Sequence, residues 1–566
     1  MWKFLLGALA AIGGAFALIH FNYLHVAALK DETSPQGIDA ASSNGWMGDA
    51  DKLRSHLNFL ADDLMEGREA GTRGYDIAAL YAANYFGSLG LKPGGDNGAY
   101  LQSVPLLKIN ADYSASRLSV SRNGEEDVFE PQEDFVMGGN NAHQESDVTA
   151  PIVFVGFGAE APAFGVNSYK GIDVQGKIVV MFAGGPSNLP AEERAHFGSS
   201  STKAALAASK GAVGIITIYT PAFEQVIPFP RAVQLLARTG MTWTHDDGAA
   251  HDAYPQLRVS ALIAPSAAQR LFEGAQMSYA DVRAAAETGD APSFDLVGEV
   301  AMAQRSTHEN VSSSNVAAII EGSDPALSDE YVVYTAHLDH DGFGPEIDGD
   351  SLYNGAVDNA SGSAVVLDVA RAFAEAKEKP RRSIIFLLVT AEEKGLRGAG
   401  YYAHNPTVSI ENIVANVNID GALFFYDFAD VIAFGDTHST MKDHVETAAS
   451  AMGLKVLPDP YPAQGFFTRS DHYRFVQQGI PSVFTLLGFT ATDGTQAGKD
   501  VIESYLANQY HQPDDDLSLP FDYEFGAKFV EFQYRLGQSI ADADERPVWN
   551  EGDFFGDLYG RELRQR

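Results

Sequence analysis

Hydrophobic positions along the 566-residue chain follow three rhythms in succession. Across residues 53–107 apolar side chains recur every three or four positions, interrupted by glycines, as in HLNFLADDLMEG and DIAALYAANYFGSLGL; this spacing predicts helices. After about residue 115 the pattern changes to short alternating or continuous runs, PIVFVGFGA, GKIVVMFAGG and VGIITIYT, which predict strands. One alanine-rich helix is expected between the last two, over residues 202–210, while residues 185–201 and 220–255 read as irregular. From residue 313 onward strand and helix alternate. Strands are predicted at 331–336, 383–390, 413–420 and 482–486, and helices at 362–377, 441–452 and 525–540. The run SIIFLLVT is apolar throughout, as a strand buried on both faces of a parallel sheet must be. This alternation predicts an α/β fold, a doubly wound, mostly parallel sheet flanked by helices, with a β-rich domain inserted in it. The expected division is 49–115 and 300–545 for the main domain, 116–299 for the insert and 546–566 for a tail.

The N-terminal end adds a different signal. Behind Lys3, residues 2–19 (WKFLLGALAAIGGAFALI) are apolar, and a polar linker, 31–48, follows. Residues 1–30 therefore read as a signal peptide or an N-terminal membrane anchor, about 18 apolar residues being near the lower limit for a span. Either reading predicts a protein exported from the cytoplasm: periplasmic, secreted or held at a membrane outside it. The charge of −36, from 39 basic against 75 acidic residues, argues against nucleic acid as a partner. It equally disfavours anionic membrane surfaces.

Chemistry enters at the ends of the apolar runs. His337 follows the first predicted strand of the main domain, Glu392 and Glu393 the second, and Asp420 the third; Asp358 and His511 lie in polar loops. The chain has no cysteine, so thiolate zinc sites are excluded. Two imidazoles and three carboxylates suffice for two divalent ions in mixed nitrogen and oxygen ligation, and one carboxylate is left over to handle a proton. Adjacent carboxylates after so apolar a strand call for a compensating cation. Asp339 is placed to orient His337, and Asp515, in the DDD run, to orient His511. Taken singly, several of these residues have plainer readings. Asp358 precedes an Asn-Ala-Ser-Gly segment suited to helix capping, and Asp420-Gly421 is an ordinary turn pair.

Together AHLDH, YNGAVDNASG, TAEEKGLRGAGYY, NVNIDG, FTRSDHY and YHQPDD resemble the zinc aminopeptidases and carboxypeptidases of peptidase family M28. The segments YKGIDVQGKIVVMFAGGP and AALAASKGAVGIITIY resemble a protease-associated domain. The resemblance implies two zinc ions per chain, one held by His337 and Asp420, the other by Glu393 and His511, with Asp358 bridging. It implies Glu392 as general base, a cis peptide after Asp358, and peptides as substrates. An aminopeptidase is the expectation. A carboxypeptidase would need a cationic clamp, for which Arg469 and Arg474 are candidates; a one-zinc glutaminyl-cyclase-like enzyme and a non-catalytic binding protein are further readings. Arg397, Ala399 and Thr335 depart from the residues commonest in the family.

Overall fold

The computed structural model describes residues 46–462 and 464–560; the expectations for residues 1–30 lie outside them. Met47–Arg566 forms one compact unit, which the following concerns.

The main sheet is built from β1 (Leu101–Ala111), β2 (Ser293–Ile320), β3 (Tyr331–His337), β4 (Ser383–Val389), β5 (Ile413–Ile419), β6 (Asp430–Phe434), β7 (Lys455–Leu457) and β8 (Ser482–Leu487). Its order is β1-β2-β4-β3-β5-β8-β6-β7, and Gly240–Trp243 of the middle region adds an antiparallel strand beside β1. The central four strands, β4-β3-β5-β8, run parallel, and antiparallel strands flank them. Both faces are covered. Val332, Tyr334 and Ala336 of β3 face a core shared with helices Ala50–Leu60, Arg73–Ser88, Gly362–Glu375 and Tyr523–Ala541. Val333, with Ile385 and Leu387 of β4, faces Ala399, Tyr402 and Phe475 from helices Arg397–His404 and His472–Val476. That double burial explains why β4 is apolar at every position.

Residues 118–302 close a second core of their own, centred on Phe154, Phe182, Phe272 and Phe294. Here Glu145–Val155, Ile178–Phe182, Gly214–Ile218 and Val259–Ile263 form a parallel set. The 28-residue β2 belongs to both sheets. Its first half pairs with Glu145–Val155 and Arg117–Arg122, its second with β1 and β4.

Three stretches differ from the sequence reading. Helix does not continue to residue 107: it stops at Ser88, and β1 begins at Leu101, where LQSVPLLKINA buries alternate residues against β2. Residues 185–201 contain the helix Ala191–Gly198, and 220–255 contain Pro221–Val226 and Phe229–Ala237. Each begins at or just after a proline (Pro190, Pro221, Pro228), residues that punctuate a sequence but whose fixed φ suits a helix start. The alanine-rich helix itself is Ser200–Ser209.

Candidate metal centre

The site gathers at the carboxyl ends of the parallel strands, where an open α/β sheet places its ligands. In register, His337 at the end of β3 pairs with Val389 at the end of β4, so the turn Thr390–Glu393 rises beside it. Ala391 in that turn has a left-handed φ of 54°, uncommon for a residue with a Cβ. Asn315 secures the turn by accepting from the Thr390 N–H at 3.1 Å. The Asp339 carboxylate accepts from the N–H groups of Glu392 and Glu393, at 3.0 and 3.4 Å. Loop after β3 thus pins loop after β4.

Six side chains predicted from the sequence converge. His337 Nε2 lies 3.1 Å from Asp358 Oδ1 and 3.1 Å from Asp420 Oδ1. His511 Nε2 lies 3.3 Å from the other oxygen of the same residue, Asp358 Oδ2, and 3.4 Å from Glu393 Oε2. Glu392 stands slightly apart, its Oε2 4.0 Å from His337 Nε2. Exposure rises from 1% at the His337 side chain to 17% at His511 and 18% at Asp420, so the centre opens on one side. The Asp358–Asn359 peptide is cis.

The donor chemistry fits cations. His337 Nδ1 donates to the main-chain oxygen of Asp339 at 3.0 Å, which leaves Nε2 with its lone pair facing two carboxylate oxygens. That arrangement is repulsive unless a positive charge stands between them. Burial opposes a charge on His337, but Asp420, Glu392 and Asp358 outweigh it and raise its pKa well above the ordinary imidazole range. Burial, with acidic neighbours, also drives Glu392 and Glu393 well above the usual carboxylate range. Sets of ligand atoms within 4.8 Å of one another are His337–Asp358–Asp420, His337–Glu392–Glu393, His340–Asp358–Glu393 and Asp341–Glu393–His511. Imidazole nitrogens and carboxylate oxygens grouped in this way are donors of the kind that zinc takes.

Residues 315–527 match the family model described as peptidase family M28. The matched segment carries all six candidate site residues, from His337 to His511. Over 137 residues the chain is 36% identical to aminopeptidase NAALADL1 of Mus musculus, covering 23% of this chain and 17% of that protein. Over 232 residues it is 29% identical to the probable leucine aminopeptidase 2 of Aspergillus oryzae, covering 38% and 42%. The matches thus span less than half the length of these relatives. Among solved structures, the aminopeptidase from Aneurinibacillus sp. strain AM-1 superposes with a TM-score of 0.50 at 19% identity, covering 90% of this chain and 97% of that one; this likeness shows the fold.

The site also contains residues that the sequence reading missed or placed differently. Asp339 orients His337 through its main-chain oxygen and not its carboxylate, whose Oδ1 is 4.0 Å from the ring. Asp515 does not orient His511. It accepts from the N–H groups of Val357 and Asp358, at 2.8 and 3.0 Å, and from the Tyr505 hydroxyl, and so fixes the backbone that carries Asp358. The partner of His511 is Asp341, whose Oδ2 accepts from Nδ1 at 3.0 Å. His340, fully buried, places Nδ1 2.7 Å from Glu393 Oε1. Ser470 donates to Asp420 Oδ2 at 2.6 Å and accepts from Asn418. Thr335 donates to Asn418 at 2.6 Å, which gives its departure from the family pattern a role. Arg397 is no free surface cation: Nε donates to the Lys394 carbonyl, and the guanidinium lies 3.4 Å from Asp252. Deepest of all, Arg68 donates to the carbonyls of Leu60, Leu338, Asn354 and Gly355, joining both loops that carry ligands to the first helix.

Proposed function

We propose that the chain is an exported dinuclear zinc exopeptidase that removes N-terminal residues from peptides, with Glu392 as general base and acid. The observation that carries this reading is the division of one carboxylate. Asp358 Oδ1 faces His337 and Asp358 Oδ2 faces His511, two imidazoles belonging to separate sets of carboxylates. In this reading His337 and Asp420 would hold one zinc and Glu393 and His511 the other, with Asp358 available to each. Zinc, when bound, supplies Lewis acidity, which polarises the scissile carbonyl and acidifies water. Glu392 holds neither zinc in this reading, so its Oε2 can take the proton as water adds to the carbonyl carbon. The C–N bond then breaks, and Glu392 returns that proton to the leaving amine. Export is supported by the apolar segment at residues 2–19.

An amine terminus suits this surround better than a carboxylate. Arg474 donates to the Gly395 carbonyl and to Gln477, each at 3.0 Å, and Arg469 lies over the Phe466 ring. Arg238 and Lys394 are paired with Asp341, and Lys394 also with Glu69. The test is hydrolysis of matched free-amine and N-blocked peptides by the wild type and by Glu392→Gln. The reading expects cleavage of free-amine peptides only, and a variant slowed by about 10²–10⁴-fold with its zinc retained. Cleavage of N-blocked peptides from the carboxyl end would make it a carboxypeptidase. No turnover of either set would leave a binding protein.

A further inference from the structure

The two halves of the centre are not supported alike. His337 ends a strand, is buried, and is oriented by a main-chain oxygen, so nothing about its ring depends on a distant side chain. His511 sits in a polar loop, is 17% exposed, and has a left-handed φ of 55°. Its ring is turned by one carboxylate, Asp341, and that carboxylate is itself held from elsewhere. The same oxygen that accepts from His511, Asp341 Oδ2, also accepts from the guanidinium of Arg238. Arg238 follows the helix Phe229–Ala237 of the middle region and comes from 103 residues away. Its guanidinium also lies 5.6 Å over the Tyr353 ring, next to Asn354 and Gly355, whose carbonyls Arg68 holds on the way to Asp358. The second oxygen of Asp341 is 3.8 Å from Lys394 Nζ. Asp341 is only 5% exposed, so without Arg238 its best remaining partner besides His511 is that lysine, and turning towards it draws the carboxylate off the ring.

Resting on the dinuclear reading, we propose that Arg238 is a positioning residue: it fixes Asp341, Asp341 fixes the His511 ring, and the middle region thereby controls how tightly the His511–Glu393 half of the centre holds its metal. Partners of this kind behind a histidine ligand alter metal affinity by about 10–100-fold when removed. The His337–Asp420 half, with no such link, is independent of the middle region.

The experiment is release of zinc from the full chain to a chromogenic chelator, followed over time, with wild type, Arg238→Met, Arg238→Lys, Asp341→Asn and Asp252→Asn. The proposal expects one of the two zincs to leave at least about tenfold faster in Arg238→Met and Asp341→Asn, the other at the wild-type rate. Arg238→Lys, which keeps the charge, restores much of the retention. Asp252→Asn cuts a different tie between the middle region and the main sheet, that to Arg397, and leaves both rates unchanged. Unchanged release in Arg238→Met, or equal acceleration of both zincs together with a lower Tm, would overturn the proposal. A second readout needs no metal. In the zinc-free chain with ¹⁵N-labelled histidines, the His511 ring signal, identified by its loss in His511→Gln, shifts in Arg238→Met; an unmoved signal overturns the link. A wild type that holds fewer than two zincs contradicts the dinuclear reading instead, and the ring signal then decides the link alone.

Discussion

At the scale of single residues, each ligand candidate depends on a partner that sets its direction. Asp420 shows this most simply. Its Oδ1 faces His337, while Oδ2 accepts from Ser470, itself held by Asn418. Ser470→Ala removes that donor and frees the carboxylate to rotate. Zinc affinity measured by competition with a chelator is expected to fall by about tenfold or more, with the midpoint of urea unfolding in the zinc-free chain moving little. An affinity equal to wild type would show that Ser470 does not orient Asp420. His337, Glu392, Glu393 and Asp420 were legible because each follows an apolar run, a placement burial alone does not explain; Asp358 and His511, in polar loops, were legible only in company with them. Their supports were not. Ser470, Asp341 and Arg238 look like ordinary surface residues, and their partners lie 50, 170 and 103 residues away. Pairings over such separations leave no local pattern. The Asp515 expectation failed for the same reason: proximity in sequence to His511 suggested a contact that the turn directs to Val357 and Asp358 instead.

At the scale of elements, the centre depends on how closely a helix approaches a strand end. Gly362 starts the helix Gly362–Glu375 with an ordinary helical φ of −66°, so its lack of a side chain concerns space, not conformation. A Cβ there would stand 2.1 Å from Asn359 Oδ1 and 2.7 Å from the Ile419 carbonyl. Asn359 is the clasp between the two elements, accepting from the Gly362 and Gly421 N–H groups and donating to the Ile419 carbonyl. Gly362→Ala should therefore cost about 1–3 kcal/mol in urea unfolding and weaken zinc binding as well, because Asp358 is the next residue along. Unchanged stability would mean that the clasp yields freely. The strands and helices predicted after residue 313 lie within a few residues of those observed, since a strand covered on both faces and helices with one buried side write clear periodicities. The insert was read less well. Its short helices follow prolines; in the main sheet, β1 alternates only weakly around Pro105, so local pattern favoured helix where pairing with β2 decided otherwise.

At the scale of the whole molecule, the two sheets are tied by β2 and by charges buried at their seam. His438, at the end of β6, places Nδ1 against Asp553 near the C-terminal end and Nε2 against Glu192 of the middle region. Burial disfavours a charge on this imidazole, but the two carboxylates outweigh burial and raise its pKa from 6.5 to about 10. A pKa raised on folding means that the folded chain binds the proton more tightly. The stabilisation is complete below pH 6.5, declines above it, and is lost as the pH climbs through about 10. His438→Gln should thus be clearly less stable than wild type in urea at about pH 6, with the gap closing by about pH 10; a constant gap would contradict the pairing. The His438 pairs share no residue with the metal centre, so their loss should not by itself change which atoms hold metal.

The central claim is that one carboxylate divides the centre in two. Zinc-edge anomalous diffraction from crystals grown with zinc tests it most directly. The account predicts two peaks on either side of Asp358, one among His337, Asp358 and Asp420 and the other among Asp358, Glu393 and His511. A single peak, or two peaks of which neither contacts Asp358, would contradict it.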